Sequence, residues 1–525
     1  MQHDISYNIS DNSSLDKLFE RIQKKFVLEE RAACDITRIF LDSFDCRLHA
    51  DGVRLWLEQK DGVTILRQTG ISKSAPGVRV ELPKSISITP DELPGGPLRD
   101  KIACLLEMRV LLQQVEIKSS VRTFAVLDDE RKTVLRIYVE ESLCRAAGDG
   151  RYVNCGSSVR LQSIRGYPEP LAKIEEIIKK RSGLTAIKDG LLEQAVKAVD
   201  SDLCSYSSKI SFNFDPAMPS VLAVRDIHLH LLKIVESNVP GVKQDLDSEF
   251  LHDLRVAVRR MRSALTQIKG VLAEDDVNRF KSRLAWVGQA TGPTRDMDVF
   301  LLEFDQYRDC LPERFRQDLD PLYDFIESHQ QIEHGLMVKK INSPHFRGLV
   351  KELRELLTGL TEKNGAAEAA TPIAELASKR VYKMYRRVMK DGHAIGDDSP
   401  AEHLHDLRKE CKKLRYLMEF FRSIYPEKKI GRLIKSLKQL LDNLGNFQDL
   451  EVQADKLRDY ASQMVAEGET PHDTLLAMGM LVDGLLTKQQ QARNEFAERF
   501  AKFAGADNQK AFQTLFAPNK KKDKG

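Results

Sequence analysis

Leu251-His252-Asp253-Leu254-Arg255 opens the stretch LHDLRVAVRRMRSAL (251–265), and the same five residues return at 404–408, opening LHDLRKECKKLRYLM (404–418). The shift is 153 residues. At that shift Arg262 falls on Arg415, Gly292 on Gly445, Asp296 on Asp449 and Val299 on Val452. Matches that hold one register over such a span mark an internal repeat. The region is therefore read as two related helical halves facing each other across a pseudo-twofold axis.

Outward from the repeat, the chain from about Pro219 onward reads as long amphipathic helices. The expected breaks fall at Pro240-Gly241, Gly292-Pro293, Ser343-Pro344, Gly365 to Pro372, Ser399-Pro400, Pro426 and Gly468 to Pro471. Before residue 200 the signals change to β. Val53–Gln59 and Val63–Gln68 flank Lys60-Asp61-Gly62, a hairpin signature. Arg122–Leu127 and Thr133–Val139 flank a charged turn, and Val159–Ile164 is a further strand. Ser14–Phe26 and Glu169–Arg181 have helical spacing. The fold class expected is thus an antiparallel α+β N-terminal domain followed by an all-α bundle. The domain bounds expected are 1–200, a linker at 201–218, a helical domain at 219–505 with halves of about 219–365 and 372–505, and a disordered basic tail at 506–525 ending in PNKKKDKG.

On a helix at 100° per residue, His252, Arg255, Arg259 and Arg262 fall within a stripe of about 80°. Leu254, Val258, Met261 and Leu265 form the neighbouring apolar face. The second copy sets His405, Arg408, Lys412 and Arg415 beside Leu407, Cys411, Leu414 and Met418. Arg260, Lys409 and Lys413 widen the two basic surfaces. Cations one helical turn apart suit a repeating anion: arginine forks grip phosphate oxygens in pairs, and lysine supplies a point charge. A charged helix face is more often merely solvated, but this one has few acidic partners and occurs twice in register. For His252 and His405 two readings stand, ligand contact or orientation of the helix starts.

Arg295-Asp296-Met297-Asp298 and Gln448-Asp449-Leu450-Glu451 follow Gly292 and Gly445. They are read as helix caps or ion-pair partners after a helix end at each glycine, in preference to a metal site. Arg295 has no basic twin. A third basic run, Lys379-Arg380-Val381-Tyr382-Lys383-Met384-Tyr385-Arg386-Arg387, either extends the basic surface or forms a solvated face.

Bulk properties decide little. Of 525 residues 42% are hydrophobic and 30% charged, and the net charge is +3. Residues 1–200 hold 31 basic and 30 acidic residues, leaving 50 and 48 for the rest, so a basic site has to come from local clustering. Eight scattered cysteines without Cys-x-x-Cys spacing offer no zinc or redox motif and fit a reducing cytosol. The N-terminal MQHDISYNIS does not read as a signal peptide, and no run is long and apolar enough for a membrane helix. The expected location is the cytoplasm, with no membrane partner.

LHDLRVAVRRMRSAL, GPTRDMDVF, LHDLRKECKKLRYLMEFF and LKQLLDNLGNFQDLEV, in that order, resemble the CHAD family, the conserved histidine α-helical domain. The resemblance covers roughly 219–505. It implies a two-lobed helical fold whose basic central surface binds inorganic polyphosphate. It assigns that role to His252, Arg255, Arg259, Arg262, His405, Arg408, Lys412 and Arg415, with Arg260, Lys409 and Lys413 as helpers. It also implies association with polyphosphate granules and their proteins in a bacterial cytoplasm, and no cofactor. The first 200 residues resemble a worn CYTH, or triphosphate tunnel, domain through Phe40-Leu41-Asp42-Ser43-Phe44-Asp45, Leu48–Leu57 and Ile164-Arg165-Gly166-Tyr167. That family's Glu-x-Glu-x-Lys strand has Asp4-Ile5-Ser6-Tyr7-Asn8 as its counterpart, and its Arg-x-Arg pair aligns with Trp56 and Glu58. The departures imply a domain without hydrolase activity. Two alternatives remain open: a divergent triphosphate or polyphosphate hydrolase, and a nucleic-acid binder. The stripes lack interleaved aromatics for base stacking.

Overall fold

The computed structural model describes all residues except 1–3, 10–11, 72–76, 82–86, 149, 182–183, 188–189, 200–203, 363–364, 469 and 519–525. The chain forms two compact units, Met1–Ser207 and Ser208–Gly525.

The first unit is an antiparallel sheet with helices on its faces. In chain order its elements are β1 (Asp4–Ile9), α1 (Asn12–Gln23), β2 (Val27–Asp42), α2 (Arg47–Ala50), β3 (Arg54–Lys60), β4 (Val63–Thr69), β5 (Val78–Val80), β6 (Ser87–Ile88), α3 (Pro97–Leu106), β7 (Leu111–Leu127), β8 (Thr133–Ala146), β9 (Val153–Ser163), α4 (Pro168–Arg181), β10 (Thr185–Ala186) and α5 (Leu191–Ala198). The strand order is β10-β1-β9-β8-β7-β2-β3-β4-β5, with β6 paired to β7. Both expected hairpins are present, as β3–β4 and β7–β8. Asp61 and Gly62 close the first with φ of 50° and 75°, the positive pair that a two-residue turn of matching twist requires. α1 and α4 cover the face bearing Ile137, Val139 and Leu161. α5 covers the opposite face through Leu192 and Ala195, against Phe40, Val115, Ile117 and Cys144. Arg54 Nε and Nη2 donate to Glu193 Oε1 at 3.0 and 2.8 Å and tie α5 down.

Cys46 and Cys204 are joined by a disulfide, which corrects the reading of eight free thiols. They lie 158 residues apart in sequence, so local spacing does not show them; in the fold their Cα atoms are 5.3 Å apart, with Cys46 just before α2.

The second unit is helical: α6 (Ser220–Gln244), α7 (Ser248–Gln267), α8 (Glu274–Ala290), α9 (Gly292–Leu302), α10 (Phe304–Cys310), α11 (Asp320–Ile341), α12 (Pro344–Gly359), α13 (Ile373–His393), α14 (Ala401–Phe420), α15 (Glu427–Glu467), α16 (His472–Phe503) and α17 (Ala506–Phe516). α7 and α14 have identical bounds at the 153-residue shift, as do the starts of α6 and α13 and of α8 and α15. The halves meet at a short reciprocal ladder. Ser220 N donates to Thr371 O at 2.9 Å and Ile373 N to Met218 O at 2.8 Å; Val221 N donates to Ala369 O and Ala374 N to Pro216 O, at 3.0 and 3.2 Å. Each bond maps onto its partner under the shift, the signature of a twofold relation.

Three expectations fail here. The break expected at Pro240-Gly241 lies inside α6, which ends a turn later at Asp245, φ 49°. Gly241 packs its bare Cα against the Phe250 ring, where a Cβ would lie 2.3 Å away. The helix end expected at Gly445 is absent, because Gly445 sits within the 41-residue α15. At Gly292 the break is real: Pro293, in the first turn of α9, lacks the N–H needed to continue α8, whereas its counterpart Asn446 has one. Finally, residues 506–516 of the expected tail are helix α17, with Phe512 and Phe516 fully buried. Phe512 stacks on Tyr385 at 3.9 Å and Phe516 meets Tyr425 edge-on at 4.7 Å, so apolar burial outweighs the basic composition that suggested disorder. Residues 519–525 of that expectation lie outside the described residues.

Candidate anion-binding groove

α7 begins where the Asp247 side chain caps the Glu249 and Phe250 amides at 3.0 and 3.2 Å, after the left-handed Asp245. Its apolar face buries Leu254, Val258, Met261 and Leu265, and α14 likewise buries Leu407, Cys411, Leu414 and Met418. The edges beside those faces line a groove of about 1050 Å³. α7 contributes Arg259 and Arg262, the turn after it Lys269, and α8 Lys281. α13 contributes Arg380, Lys383 and Arg387, and α14 contributes Lys409, Lys412 and Lys413. Glu274 is the single carboxylate in the lining. The far wall is fixed by Arg380 Nη2, which donates to Lys269 O at 2.5 Å, and by Glu368 N donating to Gly270 O at 2.7 Å.

The cations differ in how they are satisfied. Lys409 pairs with Asp406 at 2.9 Å, Lys413 with Glu410 at 2.8 Å, and Arg387 with Asp391 and Glu410 at 3.5 and 3.4 Å. Among the described residues, no carboxylate stands within ion-pair distance of Arg259, Arg262, Lys269, Lys281, Lys383 or Lys412. The Nε of Arg262 is buried without a hydrogen-bond partner. Burial, then the charges of Arg408 and Arg259, lower the Lys412 ammonium to about 8, with Asp449 acting against them. Such a cluster repels itself until an anion enters.

Not all of the residues singled out in the sequence reach this groove. His252 Nδ1 faces Arg295 Nη2 at 3.2 Å, and Arg295 Nη1 donates to Ser248 O, so both residues are directed to the foot of α7. His405 Nε2 lies 2.7 Å from Glu451 Oε2 on α15, a close contact whose angles do not make a hydrogen bond. The structure thus places both histidines against neighbouring helices and outside the groove lining. Arg260 donates to Ser208 O at 2.9 Å and nears Glu419 at 3.6 Å. Arg415 is paired with Glu419 at 3.3 Å, Arg408 with Asp449 at 3.0 Å, and Lys379 with Glu368 at 2.8 Å. Arg386 is exposed and lies outside the lining. Arg255 lies beside the groove, donating from Nη1 to Gly288 O and Thr291 Oγ1, both at 2.9 Å. Burial and then the Arg259 charge lower its guanidinium.

Lys269 and Lys281 were missed. Lys269 continues the α7 stripe seven residues after Arg262, a signal lost by stopping at Leu265. Lys281 has Ile434 as its repeat counterpart, so duplication could not reveal it. Of the acidic pairs, Asp449 is an ion-pair partner, Asp298 accepts from Gln330 at 3.0 Å, and burial raises Asp298 to about 6. Neither caps a helix. Among the described residues no cluster of three metal-ligating side chains occurs, and no helix is long and apolar enough to cross a membrane.

The uncharacterized protein Rv2226 of Mycobacterium tuberculosis is 26% identical over 168 residues, 32% of this chain and 33% of that protein. The match therefore spans about a third of that relative's length. The CHAD domain from the plant Ricinus communis is a similar solved structure, at 22% identity, covering 59% of this chain and 97% of that one with a TM-score of 0.44. A putative adenylyl cyclase from Hippeastrum, described as having a dominant triphosphatase activity, aligns with 37% of this chain and 94% of its own, at 15% identity and a TM-score of 0.22. The family model of the CHAD domain matches residues 227–458, which contain all of α7, α8, α13 and α14. The chain therefore carries a CHAD domain, and the basic groove lies within it.

Proposed function

We propose that the groove binds inorganic polyphosphate. The observation that carries this reading is the set of six groove cations without carboxylate partners, five on four helices that converge on one cavity and one, Lys269, in the turn after α7. A long anion of closely spaced charges satisfies all of them together, whereas a single small anion meets only a few. Arginine forks and lysine ammoniums both match phosphate oxygens. The groove lining holds one aromatic residue, Tyr416, which favours a ligand without bases to stack. Association with polyphosphate granules would follow from this affinity.

The N-terminal unit is proposed to have no hydrolase activity. β1 presents Ser6 and Asn8 where a metal-holding strand needs a carboxylate and a lysine. On the sheet, Arg38 is held by Glu140 at 2.5 Å and nears Glu58 at 3.5 Å, while Arg67 pairs with Glu58 at 3.1 Å. Cations matched in this way leave little charge for a triphosphate.

The test is equilibrium binding of the full chain to long-chain polyphosphate over a salt series, with duplex DNA as competitor. Tight binding that weakens with salt and survives excess DNA is expected. Equal displacement by DNA would favour the nucleic-acid reading, and no binding would end the proposal.

A further inference from the structure

We propose that the cleft between α7 and α8 is a second phosphate subsite continuous with the groove, so that the first half of the repeat holds more of the polyanion than the second does. This inference rests on the polyphosphate reading above.

The cleft, of about 270 Å³, is lined by Arg255, Arg259 and Arg262 across from Ala285, Gly288 and Gln289. Arg259 and Arg262 line the main groove as well, so their side chains bridge the two spaces. Arg255 is bonded only to neutral oxygens, of Gly288 and Thr291, and its Nε is buried without a partner. Asp296 influences Arg255 but does not reach ion-pair distance. Three guanidiniums thus face a space large enough for phosphate, and none is neutralised by a carboxylate.

The second half has cations at most of the same positions; Lys412, the counterpart of Arg259, likewise has no carboxylate within ion-pair distance, but the others are disposed of differently. Arg408, the counterpart of Arg255, binds Gln448 Oε1 at 2.8 Å and Asp449 Oδ2 at 3.1 Å. Arg415, the counterpart of Arg262, is paired with Glu419. Arg422, the counterpart of Lys269, is paired with Glu427, and Ile434 replaces Lys281. The helix break supplies part of the difference. Thr291, at the end of α8, offers Arg255 a hydroxyl, whereas its counterpart Leu444 lies inside α15 and has none. In the first half the counterpart of Gln448 is Arg295, which is turned to Ser248 and His252.

Gly288 gives a clean test, because a Cβ there meets nothing within 4 Å and a side chain would point into open space beside the cleft. Gly288→Glu, Arg408→Ala and Lys383→Glu would be compared with the parent for long-chain polyphosphate affinity and thermal unfolding. The subsite predicts that Gly288→Glu weakens binding about tenfold or more without lowering Tm, while Arg408→Ala changes it less than about threefold. If Gly288→Glu binds like the parent while Lys383→Glu does not, the subsite is refuted and the groove stands. Equal losses in Gly288→Glu and Arg408→Ala would refute the asymmetry. A parent that does not bind polyphosphate would remove the groove reading itself.

Discussion

Arg38 in the N-terminal sheet and Arg262 on α7 are both largely shielded from solvent, yet they are in opposite electrostatic situations. Arg38 is 14% exposed and holds Glu140, 13% exposed, with Ser119 accepting a further bond at 3.1 Å. Arg145 and Tyr152 similarly close on Glu116. Arg262 and five further groove cations, Arg259, Lys269, Lys281, Lys383 and Lys412, have no such partners among the described residues. The numbers of charges do not separate the two units: 31 against 30 before residue 201, and 50 against 48 after it. What separates them is pairing. A matched cation holds the fold together, and an unmatched one is an invitation to a ligand.

The strongest way to break this comparison is to reverse unmatched charges. Arg262→Glu with Lys383→Glu should weaken polyphosphate binding about a hundredfold or more, with helical circular dichroism unchanged. The slope of log affinity against log salt should also become shallower by about one unit per phosphate contact removed. If titration at several salt concentrations shows parent-like affinity, the ligand does not use this groove.

Lys412 sharpens the comparison through pH. Its pKa is lowered to about 8 in the free protein, and a bound anion would raise it again. Below pH 8 it is charged in both states. As pH rises above 8 the free side chain loses its proton first, so affinity should fall, by no more than about tenfold per pH unit. The sign for the ligand-free fold is opposite. Its folded pKa lies below the unfolded value, so charged Lys412 costs stability at low pH, and the cost disappears between 8 and the ordinary lysine value. Lys412→Met should flatten both trends; a binding curve with the same pH dependence in that variant would show that another group titrates.

The matched unit should respond differently. Arg38→Gln leaves Glu140 without its cation, while Glu58 keeps Arg67, and should cost about 2 kcal/mol of stability, seen as a lower Tm, with polyphosphate affinity unchanged. A loss of affinity would mean that the sheet takes part in binding. The smallest effect expected is none: tripolyphosphate with Mg²⁺ or Mn²⁺ should yield no phosphate above the rate of a blank, and metal-dependent release would overturn the non-hydrolase proposal.

The repeat was legible because five identical residues and several single matches keep one register, and helix bounds follow that register closely. The basic stripe was legible for Arg259, Arg262 and Lys412, since position on a helix face follows from spacing alone. Arg260, Arg408, Arg415 and the two histidines lie outside the groove lining. Ser208, Asp449 and Glu451, the partners of Arg260, Arg408 and His405, come from other segments that helix spacing does not show, whereas Glu419, four residues after Arg415 on α14, was open to a spacing argument. β2 was missed for a related reason. Its Glu29, Glu30 and Arg31 interrupt any apolar alternation, yet the backbone of Val27–Asp42 pairs with β7 nearly throughout. α17 shows the converse, where Phe512 and Phe516 outweigh their basic surroundings.

The reciprocal ladder between 216–221 and 369–374 makes each half the missing template of the other. Neither half contains both sides of those four hydrogen bonds, so the starts of α6 and α13 are completed only when the two stretches meet. The repeat thus behaves as a dimer written into one chain. A polypeptide cut in the connection between α12 and α13 should give two fragments that complement each other in trans when mixed, with the twofold seam as their common address.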